Sequence, residues 1–436
     1  MMQRRLTAPT ALILALSLIV SAAGLTRRQA AIRDSASALD ATEEVLQSVS
    51  RLRRLKPKHS VRSNLRTRDE IKESVIRDMT ESTTPEEFAA SEKTLAKLGL
   101  VPGDFRLRDY MVSLLREQVA GFYEPKTQEF FLAAWIPIAE QKTVIAHELT
   151  HALQDQHFNL RRFEKWPKGD SDAELAAHAL IEGDATVTMI LYDYDQNKGQ
   201  MSLPGTDSSA DDDSKYPVLA KAPAVLRESL QFPYINGAIF VQEVLKNRSW
   251  TGLNSSYDKL PASTEQIMHP EKFLQGEGPV RVETGSLLPA LGGDWKLLDS
   301  DVNGEFGFQI MLSEFISKGD SRRASEGWGG DRYATYQEKT GAVMIAQYST
   351  WDTARDAEEF FKAYCERTEK RYRSARTAPP EAGGGQGRRL YQTEEGLVMI
   401  ELRGQDVVII EGAQTREQTA RLQEQLWQSK KSQAAR

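Results

Sequence analysis

The chain has 436 residues, 27% of them charged and 40% apolar, a formal charge of −6, and only six histidines. That balance is ordinary for a globular protein of two or three domains, and its negative sign argues against a nucleic-acid partner. One cysteine, Cys365, excludes both an internal disulfide and a thiolate zinc cluster.

The first thirty residues carry Arg4-Arg5, an apolar core from Ala11 to Val20, and the small-residue run Ser21-Ala22-Ala23. This pattern predicts a secretory signal over residues 1–23, cut near Ala23, and so a secreted, periplasmic or cell-envelope protein. The alternative is an uncleaved anchor, since Leu6 to Leu25 is just long enough to span a bilayer. Membrane association is expected through this segment alone. Cleavage would remove Arg4 and Arg5 and take the formal charge to −8. Periodic apolar positions from Ala30 to Leu55 then predict a helix ending before Pro57. Its basic end, Arg51-Leu52-Arg53-Arg54, reads as a solvated helix terminus or a contact for an anionic surface. Two further helices are expected over 67–98, the second entered through Thr84-Pro85-Glu86-Glu87, a capping residue followed by proline at the first helical position. Between Gln118 and Trp135, two apolar runs flank Glu124-Pro125-Lys126-Thr127-Gln128, which predicts a hairpin.

Residues 143–156, TVIAHELTHALQDQ, hold the most specific chemistry. Val144, Ile145, Ala146, Leu149, Ala152 and Leu153 give helical spacing with one buried face. His147 and His151, four apart, lie about 40° apart around such a helix and roughly 6 Å apart along it, so both imidazoles can reach one zinc ion. Glu148, swung about 100° around the axis, can contact a zinc-activated water instead, the position of a general base. A catalytic zinc takes three protein ligands. His157 is one candidate for the third, ten residues after His147. For a third histidine to fold back at that spacing the helix must break, and Gln154 stands where a glycine would break it. Glu182 is the other candidate, 31 residues after His151, on a second amphipathic helix expected over 171–193. The absent glycine favours Glu182. Glu174, His178 and Glu182 share one helix face, so His178 is an alternative ligand, a support for Glu182, or part of a surface ladder. Asp155, four after His151, is placed either to accept that ring's second N–H or to face solvent.

His147-Glu148-Leu149-Thr150-His151 with Glu182 on a later helix resembles the gluzincins, zinc peptidases with two histidines on one helix and a glutamate ligand on another. The wording HELTHALQDQHF with EGDA downstream is similar to a group of bacterial and archaeal surface proteins of this type, over about Leu95 to Tyr333. The chain departs from the thermolysin-type pattern at Thr186, where that pattern has an acid; the nearest acid is Asp184. The resemblance implies a mostly helical zincin-like metallopeptidase domain with a small sheet, a Zn²⁺ cofactor, and a peptide or protein substrate. It also implies substrate pairing along an edge strand, for which Phe130 to Ala134 is the candidate, and a residue that stabilises the oxyanion, for which Tyr234 and His269 are available.

Residues 197–215 are polar and read as a loop. After Gly327-Trp328-Gly329-Gly330 the texture changes: strands over 332–338 and 342–349, a helix over 353–372, a Pro/Gly linker from Pro379 to Gly387, three strands over 388–411, and a helix from about Thr415. The expectation is an α+β protein with a signal over 1–23, a catalytic domain over 24–326 and an accessory domain with an antiparallel sheet over 327–436. The function expected is peptide hydrolysis by a zinc-activated water. The competing readings are a non-catalytic envelope binding protein with a structural zinc site, and a zinc hydrolase of a non-peptide amide.

Overall fold

The computed structural model describes residues 34–118, 121–163, 166, 169–200, 216–377 and 387–433. The expected signal or anchor, most of the polar loop over 197–215 and most of the Pro/Gly linker lie outside them. Among the described residues no helix is long and apolar enough to cross a membrane.

The fold is α+β: a helical N-terminal part with a three-stranded sheet, then a seven-stranded antiparallel sheet with its helices. The chain begins with helix α1 (Asp34–Arg53), strand β1 (Arg62–Arg66), and helices α2 (Arg68–Ser82), α3 (Pro85–Lys97) and α4 (Leu107–Gln118). Thr67 and Thr84 each close a capping box, with Glu70 and Glu87 returning a carboxylate to the cap N–H. The expected hairpin follows as β2 (Gly121–Glu124) and β3 (Glu129–Ala133). Its sheet has the order β1-β3-β2, with β1 parallel to β3. Phe130 to Ala134 is therefore no edge: β3 is paired on both sides, by a strand more than sixty residues upstream that local patterning does not reveal. The edge beside the next helix is β2.

Helix α5 (Ile138–Phe158) carries the two-histidine motif, α6 (Ser171–Gln196) carries Glu182, and α7 (Ala224–Ser256) packs along α6. Helix α5 buries Ile145, Ala146, Leu149, Ala152 and Leu153 against Val45, Leu46 and Val49 of α1 and against Phe130 and Leu132 of the small sheet. Helix α7 continues through Pro233, and Ser249, with φ at 58°, kinks it. Helices α6 and α7 cross at glycine. A Cβ on Gly183 would meet the Gly237 carbonyl at 2.2 Å, and one on Gly237 would meet the Ala179 oxygen at 2.1 Å. Only two residues without side chains permit this approach.

Strand β4 (Val280–Glu283) pairs with the C-terminal strand Lys430–Gln433, and the large sheet runs β5 (Trp295–Asp301), β6 (Trp328–Glu338), β7 (Val343–Trp351), β11 (Asp406–Ala413), β10 (Gly396–Arg403), β9 (Arg388–Thr393) and β8 (Arg376–Thr377), antiparallel throughout. Strand alternation buries both faces. Met344, Ala346, Val408 and Ile410 pack with Leu422 and Leu426 of helix α10 (Arg416–Leu426). Ile345, Val407 and Ile409 pack with Phe360 and Tyr364 of helix α9 (Ala354–Arg371), and with Phe308 of helix α8 (Gly304–Ser313). That second core continues into Leu180 of α6 and Phe240 of α7. The sheet also takes its first strand, β5, from ahead of Gly327. The expected boundary there marks a tight turn, with Gly327 at φ 78° against Asp356 and no break between cores.

Candidate metal centre

Helix α5 is continuous through Gln154 and ends at Asn159, whose left-handed φ of 56° and N–H bond to the Asp155 carbonyl cap it. With no break at Gln154, His157 stays on the outer side of the helix, where its Nε2 lies 2.8 Å from the Lys56 carbonyl. It takes no part in the site. His147 and His151 turn inward, with their Nε2 atoms 3.1 Å apart. The Glu182 carboxylate oxygen Oε2 lies 3.1 Å from the first and 3.3 Å from the second. All three side chains are buried.

These donors can hold a metal ion. Three ligand atoms each about 2 Å from one ion at tetrahedral angles stand about 3.3 Å apart, so the observed separations suit a shared cation. The electrostatics agree. Burial alone would lower the His151 pKa, but Glu182 outweighs it and pushes it up to about 9. Burial alone would raise Glu182, but the two imidazoles hold it down to about 2. A proton on His151 thus supplies positive charge at the place a metal would supply it.

The neighbours of the group are specific. Glu148 is buried beside it, and its Oε2 accepts the Tyr123 backbone N–H at 2.9 Å. Tyr123 lies on the outer edge of β2, so the strand edge and the glutamate meet. Tyr234 stacks on His147 with ring centroids 5.9 Å apart, and its hydroxyl is bonded to Glu182. Burial, with the charges of Glu182 and Glu148, holds its pKa well above the usual tyrosine value, so it stays a donor. The α6–α7 glycine crossing explains the placement: Gly183 follows Glu182, and Gly237 lies one turn after Tyr234.

Other expected residues sit elsewhere. His269 bonds Glu305 at 2.9 Å, a pairing between the end of a short helix, Thr264–Met268, and α8. His178 is buried but outside the donor group, and burial lowers its pKa to about 4, which keeps it neutral. Asp155 faces neither His151 nor solvent: it is buried, accepting the Tyr123 hydroxyl at 3.0 Å and the Leu160 N–H at 2.9 Å, which closes the end of α5. The partner of His151 Nδ1 is Gln154, at 2.8 Å. Its spacing of three from His151 on one helix is the sequence signal for this contact. Arg53 is completely buried against Asp184, at 2.6 Å, and forms no basic surface.

The site does not rest on α5 and α6 alone. Asp301 of β5 accepts the Ser171 N–H at 2.8 Å, and Asp170 caps Ala173, so the large sheet fixes the start of the helix that presents Glu182. Between them, an apolar cavity of about 210 Å³ is lined by Leu175, Leu226, Leu230 and Phe306, without any of the three metal donors.

Residues 296–423, the large sheet and its helices, match a family described as a domain of unknown function (DUF8575). The match leaves out every residue of the metal centre. No curated protein and no solved structure matches the chain.

Proposed function

We propose that the protein is a zinc-dependent metallopeptidase, acting at or outside the cell envelope. The observation that carries this reading is the pairing of a buried two-histidine, one-glutamate donor set with a second glutamate, Glu148, held next to it by a strand edge. A purely structural zinc site has no use for that second carboxylate. Imidazole nitrogen and carboxylate oxygen suit zinc, and three protein ligands match its catalytic form. Bound there, zinc supplies the Lewis acidity that makes water a nucleophile near neutral pH and polarises a carbonyl.

The chain's own groups supply the rest. His147, His151 and Glu182 hold the ion. Glu148 takes a proton from the attacking water on its carboxylate and returns it to the leaving amine, its orientation set by the Tyr123 N–H. Tyr234, kept protonated, donates a hydrogen bond where negative charge develops on the substrate oxygen. The envelope location is supported by the apolar N-terminal segment with its small-residue run.

Cleavage of a peptide library by zinc-loaded protein tests the reading. Turnover should stop with a chelator and return with zinc. Stoichiometric zinc with no cleavage of any peptide would overturn it in favour of a binding protein.

A further inference from the structure

The basic end of α1 does something the metal-site motif does not announce. Arg53 Nε donates to Asp184 Oδ1 at 2.6 Å, and its Nη2 donates to Asn254 Oδ1 at 2.8 Å. Trp250 lies under the guanidinium at 4.7 Å. The other carboxylate oxygen of Asp184 accepts from the Tyr257 hydroxyl at 2.7 Å and from Gln154 Nε2 at 3.1 Å. Gln154 Nε2 also donates to the Ile181 carbonyl at 3.0 Å. Arg53, Asp184, Gln154 and Tyr257 are all essentially inaccessible to solvent.

The polarity of this chain runs one way. Two pure acceptors, the Ile181 carbonyl and the Asp184 carboxylate, face one end of the Gln154 amide, so that end must be its nitrogen. Its oxygen then faces His151 Nδ1 at 2.8 Å and requires a proton there. With Nδ1–H fixed, Nε2 presents a lone pair to the point shared with His147 and Glu182, the only neutral tautomer that can bind a metal through that atom.

We propose that Arg53 is a positioning residue for the metal centre, acting through Asp184 and Gln154 to fix the ring of His151. Helix α1 is then an integral part of the site and not a removable pro-segment. This rests on the metal-binding part of the proposed function, and is independent of whether the chain cleaves peptides. Removing Arg53 alone strands the Asp184 charge in the interior and frees it to turn from Gln154. Removing both charges with R53M/D184N leaves an amide oxygen that still accepts from Gln154 and Tyr257 and needs no cation.

The test is zinc affinity of the full chain, by competition with a chromophoric chelator. It is paired with the exchange rate of the His151 Nδ1–H proton in ¹⁵N spectra of the zinc-loaded protein. Arg53→Met should weaken zinc about 10- to 100-fold and expose the Nδ1–H to rapid exchange. R53M/D184N should regain most of the affinity and the protected proton. Unchanged zinc affinity in a folded Arg53→Met protein overturns the proposal, as does a double variant as weak as the single one. If Arg53→Met does not fold, the double variant decides: near-native affinity supports the relay and a 10- to 100-fold loss overturns it. A wild-type chain that binds no zinc overturns the metal centre itself, and the relay with it.

Discussion

Gly237→Ala should damage the metal centre without touching any residue in it. The added Cβ would stand 2.1 Å from the Ala179 carbonyl oxygen and 2.9 Å from its carbon. Ordinary C···O contacts are about 3.3 Å, so α6 and α7 must part by about 1 Å locally. Both partners are helix backbone, and neither can move aside as a flexible side chain could. Overpacking of this kind costs about 1–3 kcal/mol, which for a protein of this size lowers Tm by a few degrees per kcal/mol. Glu182 lies one turn after Ala179, and Tyr234 lies one turn before Gly237. A working site tolerates only about 0.5 Å of displacement, so zinc affinity should fall along with Tm. Scanning calorimetry and chelator competition on the same preparation check both effects. A Gly237→Ala protein with native Tm and native zinc affinity would refute the claim that this crossing sets the site.

Other outcomes follow from particular residues. His157→Ala should leave zinc affinity unchanged, because its ring turns to the Lys56 carbonyl and away from the donor group; a large loss in chelator competition would restore it as a ligand. Zinc uptake at pH 7 should release about one proton, since His151 is held protonated up to about pH 9 and must become neutral to bind. Calorimetry in buffers of different ionisation enthalpy measures this release, which should vanish well above pH 9. Stability in acid should depend on Glu411. Burial would raise its pKa, but Arg367, Arg371 and Lys97 outweigh burial and hold it down to about 2. Its contribution, roughly 3 kcal/mol, is complete above the usual carboxylate pKa and is lost as the pH falls towards 2. Glu411→Gln should therefore lower Tm more at pH 7 than at pH 2.5.

How much of this was legible in the sequence depended on range. Helix α5, the caps at Thr67 and Thr84, the hairpin at 121–133 and the alternating strands after Gly327 are written in spacing over a few residues, and the folded chain has them nearly where spacing puts them. Glu182 could be anticipated because an unbroken helix at Gln154 removes its rival, His157. What local pattern could not reveal was pairing across distance. Strand β1 joins β3 from more than sixty residues away and turns an expected edge into an interior strand. Arg53 looks like a solvated basic residue until Asp184, 131 positions on, arrives beside it. Asp155 has the spacing to orient His151 yet is claimed by Tyr123 and the capped end of α5. Strand β5 lacks a clean alternation, since a bulge between Leu297 and Asp299 interrupts its register with β6.

The central claim is that Glu148 is a base beside a metal it does not bind. Glu148→Gln keeps the size of the side chain and an oxygen that can accept the Tyr123 N–H, while removing the ability to take a proton. The decisive measurement is turnover of a cleaved peptide by this variant at matched zinc content. The account predicts one zinc per chain and a loss of hydrolysis of at least about 100-fold. Full hydrolysis by the zinc-loaded variant would contradict it.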